Sequence, residues 1–459
     1  MRSIRARGVF SACIASAATI AVLAMPGAAS AATQCSGGAI GGQGSSLQKV
    51  AQETLWGPGF NTSTDKFACN GKFGSKEKPA ISYNPSGSGA GLRSWGAETK
   101  AESELKFGPT NAFVGTDEPP NATQLAEITN EESTPTPKSL YTIPVAQESV
   151  AIIFHLPTGC TATSTVAPGR LVLSDATLQG IFAGTVKTWG QLTDGGDALT
   201  GTGCTTASIV PVARFDQSGT THIFKRYLGL INTGNLSTAS GEKSWDELSE
   251  GALNVVWPTA ANVQKPAVKG GGELINKVGE VAGSIGYVNL AEARVSSKLV
   301  PPAGGAGTAM FWGELENGSK GKGKSFKLTY SDPALNGDVA APASSNCAKT
   351  AYTNGTNPFP PPAVTGLWNE VTTSVPGAVA EVKEKDYSLC GLTYDLAYAK
   401  YHLLEGKGAT AGEATTVNNY LHFVTDKKGG QKELAGNDYT ELPKEVDTEA
   451  KEGAELVEF

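Results

Sequence analysis

The sequence predicts an α/β protein of at least two domains. Short β-rich runs alternate with amphipathic helical patterns along the chain. The length left after a leader-like N-terminus, about 430 residues, exceeds what one hydrophobic core serves. No segment repeats at a solenoid period, so a stacked array is not indicated.

The first 31 residues are expected to be a secretory signal peptide. Arg2, Arg5 and Arg7 precede an apolar run from about Val9 to Met25, and Ala29-Ser30-Ala31 offers a cleavage site. The run is just long enough to compete as a membrane anchor, but the small residues that follow it favour cleavage. An exported protein, periplasmic or extracellular, is the expectation. The net charge of −7 becomes more negative once those arginines leave, which makes nucleic acid a poor partner. Of seven cysteines, Cys13 lies in the leader, and the remaining even number suits an oxidising compartment. Neighbour pairing is the simplest of many possible connectivities: Cys35–Cys69, Cys160–Cys204 and Cys347–Cys390. Lipidation of Cys35 is not favoured, because Ala32-Thr33-Gln34 lacks the small residue that should precede a lipidated cysteine.

Strands are expected at Ala80–Tyr83, Ala112–Gly115, Val150–Phe154, Ser208–Ala213 and Ser284–Val288. Helical spacing recurs in Ser46–Trp56 through Leu47, Val50, Ala51 and Leu55, and Ser174 caps a helix reaching Phe182. A third helix follows Ser218, with Ile223, Phe224, Tyr227 and Leu228 on one face. Residues 302–390 carry a Gly/Lys-rich run and a Pro run, and are read as a surface elaboration. A helical tail from Leu392 to about Lys427 and a loosely packed acidic end complete the expectation.

Three Gly/Ser clusters stand at expected helix starts: Gly41–Ser46, Ser86–Gly91 and Gln217–Thr220. A helix start exposes unpaired N–H groups and partial positive charge, and glycine lets that backbone approach an anion. Each cluster alone is equally an ordinary cap and turn. Arg214 adds a planar fork suited to a tetrahedral oxyanion, with Asp216 placed to steady it; a surface ion pair is the plainer account. Asp117, before Glu118-Pro119, is by itself a turn aspartate. Enzyme chemistry is thinly supported. His155, His222, His402 and His422 show no metal-ligand spacing, Ser88 lacks the first glycine of G-x-S-x-G, and no Walker pattern occurs.

Taken in order, these residues resemble the phosphate-binding proteins of bacterial ABC importers, within the periplasmic substrate-binding family. The resemblance runs through Gly42-Gln-Gly-Ser-Ser46-Leu47, Tyr83–Leu92, Phe113–Pro119, Leu171–Leu192, Arg214–Thr220 and Ser284–Val288. It implies a two-lobed periplasmic-binding-protein fold (type II) with the ligand in the hinge cleft. Lobe I would comprise 32–142 and 291–459, with the insertion at about 302–390, and lobe II would comprise 143–290. The crossovers would fall near Tyr141–Pro144 and Leu290. It further implies an inorganic phosphate ligand met by Ser46, the Leu47 backbone, Ser88, Asp117, Arg214, Ser218, Gly219 and Thr220, with Asp216 behind Arg214. The implied partner is an ABC permease in the cytoplasmic membrane, for a monomer with no cofactor, no metal and no enzymatic activity. Two departures stand out: Leu47 replaces a common aromatic, and the insertion is long. The alternatives are a secreted phosphatase or phosphoester hydrolase using the same pocket, a binder of sulfate, arsenate or molybdate, and a divergent sensing or attachment protein.

Overall fold

The computed structural model describes residues 38–69, 78–98, 111–129, 140–162, 170–194, 199–264, 268–296, 299, 310–319, 327–337, 341–347, 360, 362, 368, 386–401 and 410–457. The expected signal peptide, Cys35 and His402 lie outside the described residues. Apart from a small hairpin of Leu236–Thr238 and Gly241–Lys243, the described strands are β1 (Ile40–Gly44), β2 (Ile81–Asn84), β3 (Phe113–Thr116), β4 (Leu140–His155), β5 (Val172–Leu173) and β6 (Val210–Pro211). They continue as β7 (Ser284–Asn289), β8 (Met310–Trp312), β9 (Glu314–Ser319), β10 (Lys327–Ser331) and β11 (Cys390–Tyr398). The helices used below are α1 (Gly57–Thr62, continuing a π-helical segment Ala51–Trp56), α2 (Ser88–Ser94), α3 (Asp175–Ala183) and α4 (Gly219–Ile231). After them come α5 (Gly270–Glu280), α6 (Leu290–Val295), α7 (Ala411–Thr425) and α8 (Lys444–Leu456).

One sheet runs through the molecule in the order β2-β1-β3-β11-β4-β7-β6, with β8 also paired to β4. β4 is the element both halves share. Its Leu140–Ser149 portion pairs antiparallel with β11, and its Val150–His155 portion pairs antiparallel with β7. The first half therefore holds β1, β2, β3 and β11, and the second holds β6 and β7. The change of partner falls between Ser149 and Val150, later than Tyr141–Pro144. The return path runs through Asn289, which caps α6 by accepting from Glu292 N. β4 is buried along nearly its whole length, so it shows no polar alternation, as expected of a strand covered on both faces.

The five expected strands and three expected helices all form, with shifted ends; the strand around Ser208–Ala213 is only the short β6. Ser174 and Ser218 cap α3 and α4 by accepting from Thr177 N and Thr221 N. The expected helical tail is overturned at its start: Cys390–Tyr398 is β11, in the middle of the sheet. Leu392, Tyr394, Leu396 and Tyr398 repeat every second residue, which is strand periodicity. Only Ala411–Thr425 of that tail is helical. The acidic end is not loose either, because α8 buries Val446, Ala450 and Ala454.

The described parts of 302–390 are not a surface elaboration. Phe311, Trp312 and Leu315 are buried, β8 extends the sheet at β4, and β9 pairs parallel with β5. Arg170 is buried against Asp332 and the Trp312 carbonyl. Ser149, at the point where β4 changes partner, donates to Pro333 O (2.8 Å). The segment thus braces the crossover strand. Cys160–Cys204 and Cys347–Cys390 are disulfides, as neighbour pairing expects, and Cys69 is also disulfide-bonded. Among the described residues no helix is long and apolar enough to cross a membrane.

Candidate functional site

The two halves meet at the C-terminal ends of β1 and β3 and the N-terminal turn of α4. On the first side the chain turns sharply at Gly44 (φ +134°), where a Cβ would lie 2.0 Å from the Gly115 carbonyl oxygen. That turn delivers Ser45, whose hydroxyl donates to Asp117 Oδ1 (2.5 Å) and accepts from Leu47 N (3.0 Å). Thr393 of β11 donates to the same carboxylate oxygen (2.7 Å) while accepting from Gln48 Nε2 (2.8 Å). Ser88, the first residue of α2, accepts from Asp117 N (3.2 Å). Asp117 Oδ2 is buried with no hydrogen-bond partner among the described residues. Burial pushes the Asp117 carboxyl up to about 6, against the bonds from Ser45 and Thr393 and the charge of Arg214, which pull it down.

On the second side, Arg214 follows β6 and is 2% exposed. Its backbone is gripped at both ends: N donates to Tyr287 OH (3.2 Å), and O accepts from Trp257 Nε1 (3.3 Å). The guanidinium makes a two-point pair with Asp216, through Nε to Oδ1 (2.6 Å) and Nη2 to Oδ2. Its Nη1 crosses to the first half and donates to Ser46 Oγ (3.2 Å). Burial penalises this cation, yet the bonds and charge of Asp216 leave its pKa above the ordinary arginine value. Asn254 brackets the helix cap by accepting from Ser218 N (3.0 Å) and donating to Ser218 O (3.1 Å).

Gly219 closes the site. A Cβ there would lie 2.5 Å from both Asp117 Cβ and Ser88 Oγ, and 2.7 Å from Asp117 Oδ2. The unpartnered carboxylate oxygen therefore faces the N-terminal turn of a 13-residue helix, where free N–H groups and the helix dipole favour negative charge. Only a residue without a side chain permits that approach.

All eight residues read from the sequence are buried at or beside this junction. Ser88, Asp117 and Gly219 are in contact, and Ser46 is bonded to Arg214. Asp216 pairs with Arg214 as expected. Thr220 lies buried in the first turn of α4, and the Leu47 N–H is taken up by Ser45. Sequence reasoning missed Ser45, Thr393, Asn254 and Tyr287. Ser45 stands next to the expected ligand Ser46, whereas Thr393 falls where a helix is expected. The described histidines lie elsewhere: His155 and His222 bond to the carbonyls of Val278 and Ser249, and His422 stacks on Phe67. Burial lowers His222 to about 3, so it stays neutral. No group of three potential metal ligands occurs among the described residues.

A family model described as a PBP superfamily domain matches residues 41–356, more than half of the chain. The chain belongs to the PBP superfamily. Among solved structures, this PBP-superfamily protein is similar to a phosphate-binding protein from Stenotrophomonas maltophilia. That match has a TM-score of 0.57 and 19% identity, and covers 90% of this chain and 93% of that one. It is also similar to a high affinity periplasmic phosphate-binding protein bound with phosphate (TM-score 0.52, 18% identity, covering 89% and 92%). A human phosphate binding apolipoprotein is similar as well (TM-score 0.53, 18% identity, covering 89% and 92%). These likenesses show the two-lobed periplasmic-binding-protein fold. No curated protein sequence matches the chain.

Proposed function

We propose that this protein captures inorganic phosphate outside the cytoplasm, between its two halves, and hands it to an ABC permease. The observation that carries the reading is the pairing of two opposed walls. An arginine and a helix N-terminus on one half face a carboxylate with an unused oxygen on the other. Arg214, Ser218, Gly219 and Thr220 would hold the anion from the second half, and Ser46 and Ser88 from the first, with Asp216 fixing the guanidinium. The Leu47 backbone would join them once its N–H exchanges the Ser45 hydroxyl for the anion. Hydrogen bonds to a charged ligand contribute roughly 1.5–3 kcal/mol each, so several suffice for sub-micromolar binding by an acidic protein.

Asp117 supplies the choice of anion. An ionised carboxylate only accepts hydrogen bonds, phosphate keeps a proton to give near neutral pH, and sulfate does not. A buried acceptor facing a ligand without the needed donor discriminates by factors of roughly 10⁴ or more. The phosphate-binding proteins among the similar structures make phosphate the ligand to try first. We place the hinge where β4 changes partner and count the described residues between 310 and 331 with the second lobe. The exported location and the expected leader accord with the disulfides. The decisive experiment is calorimetric titration of ligand-stripped protein with phosphate and then sulfate. Tight phosphate binding with weak or absent sulfate binding is expected; equal affinities, or turnover of a chromogenic phosphoester, would overturn the reading.

A further inference from the structure

A second set of contacts joins the two halves without entering the anion junction. Gln217 sits between Asp216 and the Ser218 cap, and its side chain turns to the first half. Its Oε1 accepts from Arg93 Nη1 (2.5 Å), and its Nε2 donates to Glu98 Oε1 (3.1 Å). Its carbonyl accepts from Gly89 N (3.2 Å). The first half leaves room for it, since a Cβ on Gly89 would lie 2.3 Å from Gln217 Oε1. Glu98 is held in turn by Gln124 Nε2 (3.0 Å) and Arg93 (3.4 Å).

Glu118, next to Asp117 in sequence, makes the companion contact. Its Oε1 accepts from Gly251 N of the opposite half (2.8 Å), and its buried Oε2 has no hydrogen-bond partner among the described residues. Gly251 belongs to a loop fixed to α4 from below. The buried Lys225 gives its ammonium to the carbonyls of Leu248 (3.0 Å), Asn254 (2.7 Å) and Val256 (2.7 Å). The same loop supplies Asn254, the residue that brackets Ser218.

We propose that Glu118 and Gln217 are positioning residues, a clasp that holds the halves together around the anion site without touching the anion. The proposal rests on the two-lobed, phosphate-binding reading above. It extends that reading by separating the groups that recognise the ligand from the groups that set how long the cleft stays shut.

The chemistry of the seam makes the clasp sensitive to pH. Burial raises the Glu118 carboxyl to about 8, and the nearby Glu250 and Glu98 push the same way, while the Gly251 N–H and the Gln217 amide oppose them. The other charges facing the seam are Arg93, Glu127, Lys225 and Arg226, the last paired to Glu250 at 3.8 Å. A carboxyl raised on closure stabilises the closed form while protonated. That contribution is complete below the ordinary carboxyl range and is lost progressively as pH rises to about 8. Asp117, raised to about 6, completes most of its own change by about pH 7, and what remains above pH 6.5 is common to wild type and Glu118→Gln.

Small-angle X-ray scattering of the ligand-free full chain at pH 6.5 and 8.5 tests the clasp without phosphate titration intervening. Wild type should be more compact at pH 6.5 than at 8.5. Glu118→Gln, which mimics the protonated side chain, should be equally compact at both, and Gln217→Ala should be expanded at both. In stopped flow with inorganic phosphate, Gln217→Ala should release the ion about tenfold faster, with phosphate-over-sulfate preference unchanged. Scattering and release indistinguishable from wild type in both variants would overturn the clasp. Should Gln217→Ala not fold, Glu118→Gln decides alone: a pH-independent size supports the clasp, and a wild-type pH response overturns it. If wild type fails to bind phosphate, the functional reading falls, and the scattering still judges the clasp.

Discussion

The two walls of the junction are built by opposite strategies. The second-half wall is local: Arg214, Asp216 and the Ser218 cap lie within one short loop and helix start. The first-half wall is assembled from afar, with Ser45, Ser88 and Thr393 converging on Asp117 across as many as 276 residues of sequence. The anion-facing groups of that wall come from a strand end and a helix start, and Tyr287, Trp257 and Asn254 only grip their backbone from behind. A carboxylate kept buried, partly ionised and half unsatisfied needs several strands in fixed register around it. Charge attraction can be provided by one loop, whereas control of a proton requires a folded surround.

The largest expected break falls on the local wall. Arg214→Ala removes one member of a buried, hydrogen-bonded pair and leaves Asp216 uncompensated, a loss of about 2–5 kcal/mol in comparable cases. Phosphate affinity measured by calorimetry should fall by roughly 10²-fold or more. A variant with wild-type affinity would place the anion elsewhere.

Next is the distant wall's own residue. Asp117→Asn exchanges an acceptor-only group for one that also donates, so sulfate should gain on phosphate by roughly tenfold or more in competition binding. An unchanged ratio would mean that Asp117 does not read the ligand's proton.

The smallest effect tests the long-range support. Thr393→Val removes one of the two hydroxyls bonded to Asp117 Oδ1. The carboxyl should then titrate above its present value of about 6, as followed by its carbon chemical shift against pH. Ionised Asp117 would appear only at higher pH, and phosphate affinity near neutral pH should drop a few-fold, the usual scale for one such bond. A titration unmoved by the substitution would make Thr393 an incidental neighbour.

The same contrast explains what could be read from residues alone. Ser218-Gly219-Thr220 and Arg214 were legible because capping and anion binding at a helix start are properties of a few consecutive residues. Ser45 was obscured by its neighbour Ser46, since the turn at Gly44 decides which hydroxyl points inward. Thr393 was missed for a different reason. Its strand is buried on both faces, so no polar alternation separates its nine residues from the apolar pattern of the helix that starts only at Ala411.

The sequence by itself determined the α/β class, the helix starts with their caps, and the arginine loop. Each of these depends on spacing or on groups close in the chain. It left the disulfide pairing open among many connectivities that the structure then reduced, with Cys160–Cys204 and Cys347–Cys390 formed. Tertiary structure alone decided that β11 would stand in mid-sheet, that the described residues between 310 and 347 would brace β4, and that Gly219 would press against Asp117. Strand order, burial of a charge and contact between two halves arise from pairings hundreds of residues apart, whose energies no local pattern encodes.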